Sequence, residues 1–162
     1  MSTLSAYGIS FAVPNGWDAR IYRRPAAPGE STHPILHAGN FPLPAVRGDY
    51  GAGAVELMGA ANVFLALLEF HPDASSAPLF AGSRPDQLDP AGFSPSSLQR
   101  ALPGQAGTQA FFSDDGRAFC LFVVIGSWTA RAGLVAAATD ALGRISIQPD
   151  PWGVAAIGMA GT

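Results

Sequence analysis

The stretch that most constrains this chain is residues 8–24, GISFAVPNGWDARIYRR, in which two alternating runs flank a turn. Ile9, Phe11 and Val13 alternate with smaller or polar neighbours, and beyond the turn Trp17, Ala19 and Ile21 alternate with Asp18, Arg20 and Tyr22. A period of two marks a strand with one face buried. Between the runs, Pro14 sets φ at a corner and Asn15-Gly16 tolerates positive φ, so the segment reads as a β-hairpin with Trp17 as a core anchor. It is a signal of fold and carries no chemistry of its own.

Two further apolar runs read as strands buried on both faces. Residues 63–70 could be helix on composition alone, since Ala, Leu and Glu are good helix formers. Their short length, and the Pro72 that follows, favour a strand. Residues 109–113 and 117–126 flank Asp114-Asp115-Gly116 and form a second hairpin, whose arm 119–125 belongs inside a sheet. Residues 35–38 and Ile145-Ser146-Ile147 add short strands. Leu134, Val135, Ala138 and Leu142 make an amphipathic stripe in a helix over 129–142, capped by Thr129 and ended by Gly143. Ser94-Pro95 opens a helix of about two turns, with Leu98 and Leu102 on one face, which Pro103-Gly104 stops. Residues 54–59 suit a single helical turn, while 25–34, 39–53 and 71–93 are rich in proline and glycine and read as long connections.

These elements predict one α+β domain over residues 1–148, an antiparallel β-sheet with packed helices, followed by an apolar tail over 149–162. A chain of 162 residues buries about two thirds of its unfolded surface and needs no disulfide, in keeping with its single cysteine, Cys120. All nine basic residues are arginine, a bias of the kind a GC-rich bacterial genome produces. The formal charge of −3, with arginines scattered, gives no basic stripe for nucleic acid. No apolar run approaches the roughly 20 residues of a spanning helix, so no membrane insertion is expected. The first ten residues lack a basic segment followed by an apolar one, and a cytoplasmic protein is the expectation. Charged residues make up only 13% of the chain, a surface that tolerates self-association or a protein partner.

The strand running into Val13-Pro14-Asn15-Gly16-Trp17, the later apolar strand pair and the helix leading into Ile145-Ser146-Ile147 resemble the PsbP-like superfamily. That fold is shared by the extrinsic photosystem subunit PsbP, a Ran-binding nuclear import factor and many bacterial proteins. The resemblance implies an α/β sandwich and a non-enzymatic interaction or assembly module. It transfers no site residue, because no site motif matches.

Chemical motifs are correspondingly thin. There is no G-x-S-x-G elbow, no third glycine after Gly51-Ala52-Gly53 and no lysine for a P-loop. Cys120, between Phe119 and Leu121, is a small hydrophobe. His33 and His37 share a strand face too far apart to chelate one ion, and His71 and Asp73 join them only if folding brings them near, so no metal or other cofactor is assigned. Glu56 and Glu69 lie in apolar segments, where a glutamate either ends a strand or pairs with an arginine, the alternative being a pair of catalytic carboxyls. Arg20, Tyr22 and Arg24 alternate onto one strand face as a candidate contact for an acidic partner or anion. Trp152 and Ile157 mark a tail that suits either docking on its own domain or insertion into a partner groove. The expected function is protein interaction or assembly. The alternative is a ligand-binding protein or small enzyme with a pocket beneath the loops 41–50 and 82–93, using His37, Phe41, Tyr50, Glu69 or Arg24.

Overall fold

The computed structural model describes residues 2–149, so nearly all of the apolar tail, with Trp152 and Ile157, lies outside the described residues. Within them the chain forms two antiparallel sheets and one α-helix, a mixed α and β architecture dominated by strand. β1 (Ser2–Ala6), β2 (Ile9–Val13) and β8 (Ile145–Ile147) build a three-stranded sheet in the order β1-β2-β8. β3 (Asp18–Tyr22), β4 (Ile35–Gly39), β5 (Val63–Phe70), β6 (Ala106–Asp114) and β7 (Arg117–Ile125) build a five-stranded one in the order β3-β4-β5-β7-β6. The helix, α1 (Arg131–Leu142), lies between β7 and β8 in the chain.

Both strands expected within residues 8–24 form, but they do not pair with each other. β2 pairs with β1 and β8, whereas β3 pairs with β4, so the segment is a corner between sheets and not a hairpin. The turn explains the difference. Trp17 N–H donates to Pro14 O at 3.1 Å, and only Gly16, at φ +83°, is left-handed. That is the pattern of a type II turn, which splays its flanking strands, whereas the tight hairpin turns need positive φ at the first central residue, here Asn15. The true N-terminal hairpin joins β1 to β2 through Tyr7 and Gly8, at φ 55° and 76°, with Ala6 opposite Ile9. Trp17 is half-buried, edge-on to Phe11 with ring centroids 6.4 Å apart.

The second hairpin forms as expected: Asp114 opposes Arg117 across Asp115-Gly116, at φ 50° and 82°. β5 and β7, apolar on both faces, run side by side in the sheet interior over eight matched pairs. Their alternation sends one set of side chains to each side. On one side Leu65, Leu67, Leu121, Val123 and Ile125 pack with Val135, Ala138 and Leu142 of α1 and with Ile9, Phe11 and Ile145 of the smaller sheet. On the other, Phe64, Ala66, Leu68, Phe122 and Val124 pack beneath Phe41, Leu43 and Ala54 from irregular chain. Regular elements therefore cover one face and loops the other.

A buried ion pair ties the two sheets together on the helix side. Arg117 donates through Nε and Nη2 to Glu69 Oε2 and Oε1 at 2.8 and 2.6 Å, with both side chains only 1% exposed. It also donates to the Tyr7, Gly8 and Gln148 carbonyls, at 3.0, 3.4 and 3.1 Å. Every guanidinium direction is thus used, three methylenes out from a strand that carries no other charge.

Two expectations for the helical segments need correction. The segment after Ser94 is one 3-10 turn, Pro95–Ser97, with Leu98 already extended. Ser94 does accept from Ser96 N–H, but it also exchanges two backbone bonds with Gly107 at the β6 edge, which draws Leu98 over the sheet instead of around a helix. α1 begins at Arg131 without a side-chain cap; Ser127 Oγ, not Thr129, accepts from Ala130 N–H at 3.3 Å. At its other end Arg84 donates to the Leu142 and Ile145 carbonyls at 2.6 and 2.7 Å. Leu88 N–H donates to Thr139 Oγ1, so the 82–93 connection packs on α1, across the sheet from the 39–53 loop. No helix among the described residues is long and apolar enough to cross a membrane.

Candidate functional site

The loop-covered face is organised by His37. Its position in β4 puts it in register with Arg20, Ala66, Phe122 and Gln109 across the five strands, on the side opposite α1. The imidazole is fully buried, edge-on to Tyr22 at 5.2 Å and to Phe64 at 5.1 Å. Arg47 Nε–H must donate, so His37 Nδ1 accepts it at 2.9 Å, and Nε2–H then donates to the Asp49 carbonyl at 2.7 Å. Burial pushes the imidazole pKa down to about 4, against the opposing pull of the Asp49 carbonyl. His37 is therefore a neutral pin through the loop, with neither nitrogen left for chemistry.

Asp49 is the second pin. Tyr22 Oη donates to its Oδ1 at 3.0 Å, and Arg24 Nη2 meets its Oδ2 at 3.0 Å. Burial, reinforced by the Asp49 carboxylate, raises the Tyr22 phenol above its ordinary value. Arg20 pairs with Asp18, whose Oδ2 also accepts Leu43 N–H at 2.8 Å. Burial alone raises the Asp18 carboxyl, but the bonds from Leu43 and Arg20 outweigh it and hold the group below the usual carboxylate value. Arg20, Tyr22 and Arg24 thus share a face as the alternation implies, and each is engaged by an aspartate of its own chain.

Beside these pins the loop and the sheet enclose a cavity of about 360 Å³. Phe122 and Val124 of β7 form its floor, Tyr50, Ala52 and Val55 one wall, and Leu98 and Gln105 the other. Glu56 and Arg100, one from each wall, pair at 3.2 Å. Gly51 makes the loop's close approach possible: at φ +92°, a Cβ there would lie 2.5 Å from the Phe64 ring. Gln105 is only 6% exposed; its Nε2 donates to Val55 O at 2.7 Å, while its Oε1 is buried without a partner. An apolar concavity with few fixed polar groups is the usual form of a small-molecule site.

Of the residues expected around a pocket, Tyr50 lines this cavity, while Phe41 is core beneath the loop and His37 is enclosed beside it. Glu69 faces the helix side, bound to Arg117. Arg24 lines a second, more polar hollow of about 390 Å³ with Thr32, His33 and Glu69, which shares Asp49 and Tyr50 with the first, so Arg24, Tyr50 and Glu69 of the expected set do border one hollow. His33 and His71 do come together, edge to face at 5.8 Å, and burial lowers the His33 pKa. Among the described residues no three His, Cys, Asp or Glu groups are placed to hold a metal ion. Cys120 is buried, which raises its thiol pKa, and Gln109 Nε2 lies 3.4 Å from its sulfur. Asp49, Arg47 and Gln105 carry the site and none stands out in the sequence: each lies in a segment without periodicity, where only folding decides what it meets.

No known family model, curated protein or solved structure matches this chain.

Proposed function

We propose that this chain is a non-enzymatic binding module that takes a small, mainly apolar ligand in the cavity between the 48–56 loop and the 98–105 segment. The apolar cavity itself is the observation that carries the reading: a floor of Phe122 and Val124 left open under a loop that polar pins hold in place. Binding is favoured over catalysis because the groups that could act as acid, base or nucleophile nearby are already spent. His37 uses both nitrogens, Asp49 holds Tyr22 and Arg24, and Cys120 is buried. The PsbP-like resemblance belongs to the same proposal, since it too implies a binding scaffold; fold alone names no ligand.

The test is a titration of neutral one- and two-ring aromatic fragments, followed by the methyl resonances of Val55, Leu98 and Val124. Saturable shifts confined to those methyls, and lost in Ala52→Phe, are expected. Shifts spread over the surface, or indifferent to Ala52→Phe, overturn the reading.

Protein interaction is the second reading, and the edge of β6 favours it. Alternation along an antiparallel pair turns the backbone groups of every second residue outward. Gly107 meets Ser94 and Ser113 meets Gly82 in this way, which leaves the same edge positions of Gln109 and Phe111 between two covered ends. A strand from a second copy or another protein would add there. Gln109→Pro removes one outward N–H; a concentration-dependent increase in size that this substitution leaves unchanged would refute strand addition at this edge.

A further inference from the structure

We infer that the ligand of this cavity is a monocarboxylate on an otherwise apolar, ring-containing body, and that Arg100 selects it by binding the carboxylate at the cavity's solvent edge. The inference rests on the proposed function and deepens it.

Arg100 and Glu56 meet from opposite walls, and the two are not equally committed. Glu56 uses both carboxylate oxygens: Oε1 accepts Gly53 N–H at 2.8 Å, and Oε2 meets the Arg100 guanidinium at 3.2 Å. Arg100 brings only Nη2 to that pair, and its Nε and Nη1 have no partner among the described residues. The unspent capacity here is mainly donor, in a planar fork that takes a carboxylate through two parallel bonds. Its side chain is 67% exposed, so whatever enters from solvent can reach it. Arg100 can also follow a ligand. From Leu98 to Pro103 no backbone N–H donates a bond among the described residues, and only the Leu102 carbonyl accepts one, from Gln105. The opposite wall is fastened through Asp49 and His37, which leaves Glu56 in place while Arg100 moves. An exposed pair of this kind holds weakly, so a second carboxylate competes for the guanidinium on good terms.

Charge and shape narrow the occupant further. Asp49 and Glu56 are each matched by an arginine, Arg24 and Arg100. Arg47, in the same loop, bonds only His37 and the Pro44 carbonyl and has no acidic partner among the described residues. Three arginines thus stand against two acids, and the surplus of one positive charge suits an occupant with a single negative one. Tyr50 and Phe122 stand edge to face, centroids 5.7 Å apart, presenting ring surface on wall and floor. A flat aromatic body fits such a corner through edge and face contacts. The volume, about 360 Å³, is at the small end of ligand cavities, which run from roughly 300 to 1,000 Å³.

Cinnamate and cinnamamide separate the claims, because the two have nearly the same shape and only the first is charged at neutral pH. With the full chain in low salt, calorimetry or methyl shifts should show cinnamate binding at least about fivefold more tightly, with the preference shrinking as salt is added. In Arg100→Gln that preference should fall to about one. In Glu56→Gln, which keeps an acceptor for Gly53 N–H but removes the competing charge, it should rise by about threefold. Equal binding of both probes to the wild-type chain, or tighter binding of the amide, overturns the role of Arg100; if Ala52→Phe blocks that binding, the cavity reading stands. A preference that survives in Arg100→Gln, or fails to rise in Glu56→Gln, also overturns it. So does a preference that Ala52→Phe leaves intact, because the carboxylate is then held elsewhere. Binding of neither probe removes the cavity reading, and this inference with it. The wild-type comparison and its salt dependence decide the matter even if a variant fails to fold.

Discussion

Replacing Arg117 with methionine should cost more stability than replacing both Arg117 and its partner. The pair is bidentate, at 2.8 and 2.6 Å, with each side chain 1% exposed. Breaking a buried pair by removing one member costs about 3–5 kcal/mol, because the other charge stays in a medium that cannot solvate it. Arg117→Met belongs at the upper end, near 5 kcal/mol, since it strands the Glu69 carboxylate and also withdraws the donor from the Tyr7, Gly8 and Gln148 carbonyls. Glu69→Gln belongs near 3 kcal/mol, because those carbonyls still hold the guanidinium. In the double variant Glu69→Leu with Arg117→Met no charge is stranded. Only the carbonyls remain, and they lie near the surface turn and the end of β8, where water reaches more readily. Its loss should be about 3 kcal/mol or less.

Urea unfolding followed by far-UV circular dichroism gives these values by linear extrapolation. For a domain of this size, 5 kcal/mol is a fall in Tm of about 10–20 °C. The decisive result is the order: the double variant must be more stable than Arg117→Met. If adding Glu69→Leu to Arg117→Met lowers stability again, or if Arg117→Met lies within about 1 kcal/mol of wild type, the stranded-charge reasoning is wrong. Where Arg117→Met is too unstable to study, Glu69→Gln against the double variant gives the comparison.

Two further outcomes follow from geometry. His37, with a folded pKa near 4 against an unfolded value of 6.5, binds its proton in the unfolded chain first. Stability should therefore fall as pH drops from about 6.5 to 4, by about 3 kcal/mol from this residue, and level off below that; His37→Gln should remove that part of the slope, and an unchanged slope refutes the assignment. A pair of left-handed glycines, Gly16 and Gly51, should separate strain from crowding: Gly16→Ala, with nothing within 4 Å of its Cβ, should cost about 1–2 kcal/mol for backbone strain alone. Gly51→Ala, driven against the Phe64 ring, should cost clearly more and weaken fragment binding as well, so equal costs in urea unfolding would place the loop differently.

Local chemistry was legible where it acted alone and misleading where a partner decided the outcome. β5 and β7 could be read from continuous apolar runs, and Asp115-Gly116 from its turn chemistry, because each signal is complete within a few residues. The corner at Pro14-Asn15-Gly16 has the same ingredients as a hairpin turn, and the difference lies in the sign of φ at Asn15, which composition does not determine. β1 was hidden for the opposite reason: Ser2-Thr3-Leu4-Ser5-Ala6 is mostly exposed, its alternation rests on Leu4 and Ala6 alone, and its turn begins with a tyrosine at positive φ. Ser94-Pro95 did open a turn, but bonds to Gly107 ended it at once. Glu69 in its apolar run left a strand end and an arginine partner equally open, and only the fold brings Arg117 to it from 48 residues away. The site was the least legible part, since Asp49 and Gln105 act through contacts between segments that have no period.

The asymmetry of the larger sheet explains why the cavity is where it is. Helix and strand present repeating side chains that can interdigitate with a sheet, and on the α1 face they do so around Leu121, Val123 and Val135. A loop has no such repeat. The 39–58 segment reaches the opposite face through separate fastenings, among them Leu43 N–H on Asp18, His37 on the Asp49 carbonyl, and Tyr22 and Arg24 on the Asp49 carboxylate. Between such points a cover touches the sheet without filling the space beneath it, and the volume over Phe122 and Val124 is what remains. Stability and binding are thereby placed on opposite faces. Removing Arg117 on the helix side should lower global stability while leaving probe affinity per folded molecule unchanged. Asp49→Asn, which weakens two fastenings of the cover, should do the reverse, loosening the loop and lowering affinity with little effect on global unfolding. If both substitutions change stability and affinity together, the two faces form one cooperative unit and the cavity is part of the core.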